Sequence, residues 1–266
     1  TAEAGACVPA GARALQRAER VPLVRPTAAG ARASAERSAS RSGRGERIRY
    51  PARVLAGHYS AAFLAKSADP SVPLWVLALA VQADDVVWAL LVLAGVEHLR
   101  IDHSLASNPL DLYDMPYTHS LLGTFVWAGI AFALARSWFG RTRSAAIVAA
   151  AVASHWLLVR LVHRPDMTLF GVEPKLGLAL WDRPYLALVL ELALLLGSVW
   201  LYLRTNRPAA GTRRRALILV AVLVAVQIET LVFPPVSGPM GTAATALFLF
   251  LAVAWGAARV ERGREA

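Results

Sequence analysis

The chain has one cysteine, two lysines and no methionine before Met115. A single thiol, Cys7, builds neither a disulfide framework nor a cysteine-based metal site. Apart from Lys66 and Lys175, every basic residue is arginine. There is no HExxH or comparably tight metal motif. No stretch alternates apolar and polar residues as membrane-barrel strands do, and no internal repeat of the inverted-repeat transporter type is present. The N-terminal stretch lacks the compact apolar core and cleavage site of a secretory signal. Polar surface is also in short supply. Hydrophobic residues make up 56% of the 266 and mean hydropathy is +0.47, which excludes an ordinary water-soluble globule.

What is there is a series of apolar runs. Crossing a hydrocarbon core of roughly 30 Å takes about 20 helical residues, and six runs meet or approach that length, at 72–95, 119–139, 144–164, 184–204, 215–236 and 240–259. Helix is the expected form because lipid cannot satisfy open backbone groups. The expected fold is therefore all-α, a polytopic membrane bundle of about six transmembrane helices over residues 54–266.

The net charge of +10 suggests nucleic-acid binding until it is divided along the chain. Residues 1–53 carry 11 Arg against 4 Glu, so most of the excess sits in this tail. The tail is rich in Ala, Arg, Ser and Gly and reads as a disordered basic arm, suited to anionic lipid headgroups rather than to nucleic acid. With no early Met, and Val54 directly preceding LAGHYSAAF, a natural start at a non-standard codon near Val54 is the simplest expectation.

Arginine placement orients the bundle. Arg136, Arg141 and Arg143 flank the second connection, Arg204, Arg207 and Arg213 to Arg215 the fourth, and Arg259, Arg262 and Arg264 follow the sixth span. The first connection is acidic, the third mixed and the fifth (PPVSGP) uncharged. This pattern predicts N and C termini in the cytoplasm of a bacterium and the odd connections outside its inner membrane.

Ionisable residues fall within the spans. At a rise of about 1.5 Å per residue, Asp85 and His155 both lie roughly 14–15 Å from the outer end of their spans and are expected to face each other. Glu191 and Glu229 come out about 10 Å deep by the same measure. Asp84 and Asp85 point about 100° apart on a helix, so only one of them faces the site. The stretch LDLYDMPYTHSLL, residues 110–122, adds two aspartates, two tyrosines and His119 at the head of the second span. It reads as the lip of a polar cavity. Charges at these depths are costly and usually mark a site or a watery cavity. Imidazoles with a carboxylate suit zinc, manganese or iron, with a position left open for water. Ser120 is a poor nucleophile candidate because it adjoins His119 in sequence rather than facing it.

The succession GHYSAAFLAK, VQADDVVW, YTHSLL, SHWLLV and HRPDM, with EHLRID, PLDLYDMP and PKLGLALW, resembles the bacterial multi-pass proteins described as membrane-bound metal-dependent hydrolases. The resemblance runs from about Val54 to Arg204. It implies His58, Asp85, His119 and His155 as metal ligands, with Asp114, His163 and Asp166 as outer or acid/base groups. It also implies a divalent ion, zinc first. Relatives tend to carry Asp four residues after the SH histidine, where this chain has Val159. The predicted topology puts His58 on the cytoplasmic side of the first span, away from the outer cluster, unless Leu55 to Lys66 folds back into the membrane.

The reading that follows is an outward-facing, metal-dependent hydrolase acting on a lipid or lipid-linked ester or phosphoester. Asp85, His119 and His155 hold the ion, Asp114 accepts a proton from water, and Lys175 or Arg164 faces an anionic substrate. Two other readings use the same residues. One is an ion- or proton-coupled transporter relaying through Asp85, His155, Glu191 and Glu229. The other is a non-catalytic member of the hydrolase-like family that has lost a ligand at position 159.

Overall fold

The computed structural model describes residues 56–105, 108–232 and 238–262. The basic tail, Cys7 and the region around Val54 lie outside these residues. Eight α-helices follow one another: α1 (Tyr59–Ala68), α2 (Leu74–Ala80), α3 (Ala83–Leu93), α4 (Leu121–Phe139), α5 (Thr142–Val162), α6 (Pro184–Asn206), α7 (Ala210–Val232) and α8 (Pro239–Val260). Two short antiparallel hairpins interrupt them. Strands β1 (His98–Ile101) and β2 (Leu110–Asp114) pair Ile101 with Leu110 and Arg100 with Asp111. Strands β3 (Met167–Thr168) and β4 (Lys175–Leu176) form the second hairpin.

Among the described residues, four helices are long and apolar enough to cross a membrane: α4, α5, α6 and α8. The pair α2 and α3 passes together as a fifth, although it is bent by 56°. The chain is a membrane protein. Its outer surface agrees, since Phe125, Leu134, Trp138, Trp200, Phe248 and Trp255 are each more than half exposed, a patch too apolar for water. The helix ends are marked locally. Pro184 and Pro239 each occupy the first helical position of their helix, where the missing N–H costs nothing. Gly140 ends α4 in the left-handed region at φ 65°.

The expected continuous span at 72–95 is broken. Helix α2 stops at Ala80, and Gln82 enters α3 at φ −114°, ψ 13°. In an unbroken helix the Val81 carbonyl would accept from the amide of Asp85. Here His155 Nδ1 lies 3.0 Å from that oxygen, and a carbonyl accepts only, so the imidazole donates. The break also puts Asp84 and Asp85 in the first turn of α3, where the helix dipole favours negative charge.

Helix α1 is the second departure. It lies mainly against α6 and α2, and its start is held from inside the bundle. Ala56 N–H donates to Gln227 Oε1 at 3.0 Å and Gly57 N–H to Glu191 Oε2 at 3.4 Å. Residue 57 must be small, because a Cβ there would meet Glu191 Cγ at 2.7 Å.

The two ends of the bundle differ in character. At one end Lys66, 1% exposed, pairs with Glu261 at 2.5 Å and donates to the carbonyls of Pro70 and Val72. Glu261 Oε2 also accepts the N–H of Leu74 at the start of α2, at 2.6 Å. Arg141, Arg143 and Arg215 bond to Ser71, Ala68 and Val260 nearby. Asp69 belongs to this end. Burial alone would raise its carboxyl, but hydrogen bonds from Ser71 and Ser144, together with Arg141, hold it below the ordinary carboxylate range. Its stabilising contribution is thus complete above that range and disappears as acid protonates it. At the opposite end both hairpins cover the helix ends, over a cluster of Trp88, Leu99, Leu112, Val162 and Trp181.

Replacing Glu261 with Gln keeps an acceptor for Leu74 but removes the charge opposite a buried lysine. Breaking such a pair costs about 3–5 kcal/mol. The expected outcome is a matching drop in unfolding free energy in detergent micelles, partly restored in the Lys66→Met, Glu261→Gln double variant. An unchanged denaturation midpoint would show that the pair contributes nothing.

Candidate metal centre

Three elements bring the site together. Asp85 comes from the first turn of α3, His155 from the C-terminal half of α5, and His119 from the turn leading into α4. That turn is locked. Ser120 is the N-cap of α4, accepting from Gly123 N–H at 3.0 Å and donating to Pro116 O at 2.7 Å. Its hydroxyl is therefore committed to the helix start, which agrees with its poor standing as a nucleophile. Strand β3 braces the same turn, with Thr168 N–H donating to His119 O and Leu122 N–H to Leu169 O.

Asp85, His119 and His155 each offer one ligand atom, and these atoms lie within 4.8 Å of one another. The Nε2 atoms of both histidines stand 3.4 Å from the same Asp85 Oδ1. That is longer than a charge-assisted hydrogen bond of about 2.7–2.9 Å. It matches the spacing of two ligands around a tetrahedral ion, about 3.4 Å for bonds of about 2.0–2.1 Å. His155 Nε2 is buried without a hydrogen-bond partner, while its Nδ1 is committed to Val81. His119 Nδ1 lies 2.9 Å from Thr118 Oγ1. Both rings thus present Nε2 to the carboxylate. This donor set fits a borderline divalent cation. Access comes from the aspartate side, since Asp85 keeps 21% of its side chain exposed against 2% for His119 and 1% for His155.

Asp84 is not one of the three. It accepts from Thr124 Oγ1 on α4 at 2.7 Å and is fully buried, so the expected division of labour between the two aspartates is the observed one. His163 adjoins the triad, with its ring 5.7 Å from that of His119 and its Nδ1 3.1 Å from Asp166 Oδ1. Trp181 covers its other side, ring centroids 3.9 Å apart.

Of the two alternatives open for His58, the inward fold of this segment is the one observed, because α1 runs inward from Lys66 and its N-terminal end reaches into the bundle. The His58 ring is 4.8 Å from that of His155, the side chain is 3% exposed, and neither ring nitrogen has a hydrogen-bond partner. It neighbours the triad without joining the group of three.

Asp114 and Lys175 lie in the two hairpins, and Arg164 just before the second. Asp114 accepts from His98 Nδ1 at 2.8 Å and is 45% exposed. Lys175 donates to the carbonyl of Tyr113 at 2.9 Å, and Arg164 pairs with Asp182 at 2.9 Å. Glu191 is engaged at the start of α1, and Glu229 lies on an exposed face of α7. Of the four residues of the transporter reading, Asp85 and His155 are thus brought together, while Glu229 lies on an exposed face. Val159 is 1% exposed and packs with Trp156 and Met167, so that position is part of an apolar cluster.

Glu97 escaped the sequence reading. It is 1% exposed, accepting from the N–H groups of Tyr117 and Thr118 at 2.8 and 3.0 Å and from Thr118 Oγ1 at 2.6 Å. Nothing in EHLRID separates it from the other acids of that loop, and the signal exists only in three dimensions.

Comparison with protein-family models, with curated proteins and with solved structures finds no match to this chain.

The triad makes a direct prediction. Asp85→Asn and His155→Ala should each lower zinc affinity at least 100-fold, whereas Asp84→Asn should change it far less. Metal content after equilibrium dialysis of purified protein checks this. Equal losses in the Asp84 and Asp85 variants would show that the site is misassigned.

Proposed function

We propose that this chain is a metal-dependent hydrolase of a bacterial inner membrane, with six spans, both termini cytoplasmic and the hairpin-bearing end outside. The observation that carries the reading is the shared Asp85 oxygen between two imidazoles whose other nitrogens are already committed. The resemblance to membrane-bound metal-dependent hydrolases supports it, as does the arginine cluster at the end opposite the site. A zinc ion held by Asp85, His119 and His155 supplies positive charge that polarises a carbonyl or phosphoryl oxygen and acidifies water.

The chain's own residues then divide the remaining work. His119 and His155 keep their Nδ1 hydrogens on Thr118 and Val81, which holds both rings in the binding tautomer. Asp114, engaged by His98, gives way as proton acceptor to His163, which stands beside His119 with Asp166 at its Nδ1. His58 serves as a further ligand or as a proton carrier next to His155. Trp88 and Trp181 keep bulk water from the imidazoles. A site reached through the bilayer's outer half suits a lipid or lipid-linked ester or phosphoester, which arrives laterally.

One observation favours a second reading. The rings of His58, His155, His119 and His163 follow one another at centroid distances of 4.8, 5.8 and 5.7 Å, an arrangement that would also serve proton-coupled transport. Reconstituted protein separates the two. The hydrolase reading expects zinc-dependent, chelator-sensitive release of product from lipid phosphoesters or esters in vesicles, lost in His155→Ala. It also expects Glu191→Gln to retain turnover, because the amide still offers an oxygen to Gly57 N–H. Flux that follows a proton gradient, with no hydrolysis of any lipid ester offered, would replace it with the transporter.

A further inference from the structure

We propose that Glu97 and Thr118 act as positioning residues that fix the tautomer of His119, an inference that rests on the metal-centre reading for its functional meaning. Glu97 receives three donors: the amides of Tyr117 and Thr118 on Oε1 and the Thr118 hydroxyl on Oε2. Thr118 has a single hydroxyl hydrogen, and at 2.6 Å it is spent on the carboxylate. Towards His119 the hydroxyl can only accept. The imidazole must therefore carry its hydrogen on Nδ1, 2.9 Å away, and in the neutral ring Nε2 is left as a lone pair directed at Asp85 Oδ1. The carboxylate reaches the centre through one hydroxyl, without touching it.

Burial makes the lock effective. Glu97, Thr118 and His119 are 1%, 0% and 2% exposed, so the hydroxyl has no easy exchange of partner with bulk water. The same contacts tie the loop after α3 to the turn before α4. A purely structural role for Glu97 must therefore be told apart from a tautomer-setting one.

The isosteric variant Glu97→Gln does this. Its amide oxygen keeps the place facing the two backbone N–H groups, since the reverse orientation would set NH2 against them. The NH2 then faces Thr118 Oγ1 and donates to it. The threonine hydrogen is released towards His119 Nδ1, which becomes the acceptor, and the imidazole hydrogen moves to Nε2. Shape changes little, one buried negative charge is lost, and the lone pair leaves the site; the tautomer seen by NMR, rather than zinc affinity alone, therefore reports the role of Glu97. Thr118→Val removes the hydroxyl but keeps both backbone bonds to Glu97, and Thr118→Ser restores the hydroxyl.

The experiment is nitrogen-15 NMR of histidine-labelled, metal-free full-length protein in nanodiscs at mildly alkaline pH, followed by zinc titration. For the native chain and Thr118→Ser, His119 is expected in the Nδ1–H form. Glu97→Gln is expected in the Nε2–H form with zinc affinity lowered about 10- to 100-fold, and Thr118→Val as a mixture. Native Nδ1–H in a folded Glu97→Gln protein would overturn the proposal. Should that variant not fold, undiminished Nδ1–H in Thr118→Val would overturn it equally. Absence of zinc binding by the native chain would instead remove the hydrolase reading and leave the tautomer result standing, so the two failures are distinct.

Discussion

Two buried imidazoles and one carboxylate oxygen face one another, and the rest of the structure is arranged so that they can. Isolated ionisable groups at such depth are expensive. The cost is lowered where each imidazole has its outward hydrogen bond made in advance and the inward atoms of all three groups converge on one point, where a cation could sit. His155 takes the carbonyl set free by a broken helix, and His119 takes a threonine hydroxyl in a braced turn. Asp85 sits where a helix begins. None of these positions would be available in a bundle of straight, uninterrupted rods.

The break at Val81 and Gln82 is thus the local event from which the site follows. It frees a carbonyl, creates a helix start in the bundle interior and turns one aspartate to α4 and the other to the histidines. Irregular backbone at membrane depth is tolerated where protein covers it, and here α5 does so. The start of α1 repeats the device, with Gln227 and Glu191 accepting amides that lipid could not satisfy. Glu191 then has a structural reason for its depth.

Much of this was legible from the residues. The apolar runs place α4, α5, α6 and α8 to within about two residues at each end. Depth counting alone brings Asp85 opposite His155, because a helix has a fixed rise and both residues fall the same distance from one surface. Short-range irregularity was not legible. No proline or glycine marks the interruption at Gln82, and its stabilising partner is His155, 74 residues away. The position of His58 stayed open between two alternatives for a related reason, since a ten-residue helix that stops part-way through the bundle has no hydropathy signature of its own. Glu97 could not be found because its role depends on a turn that brings Thr118 back 21 residues later.

The clamp at the opposite end bears on biosynthesis. Leu74 and Glu261 are 187 residues apart, and a ribosome adding about 5–20 residues per second needs roughly 10–40 s to cover that interval. Until α8 emerges, Lys66 lacks the Glu261 carboxylate and the Leu74 N–H at the start of α2 lacks its acceptor. The corner joining α1 to α2 therefore reaches its final electrostatic balance only after the later helices have entered the bilayer. Lateral association of the early helices is provisional for that time, and the Asp85, His119 and His155 triad comes together within a bundle whose first corner is secured last.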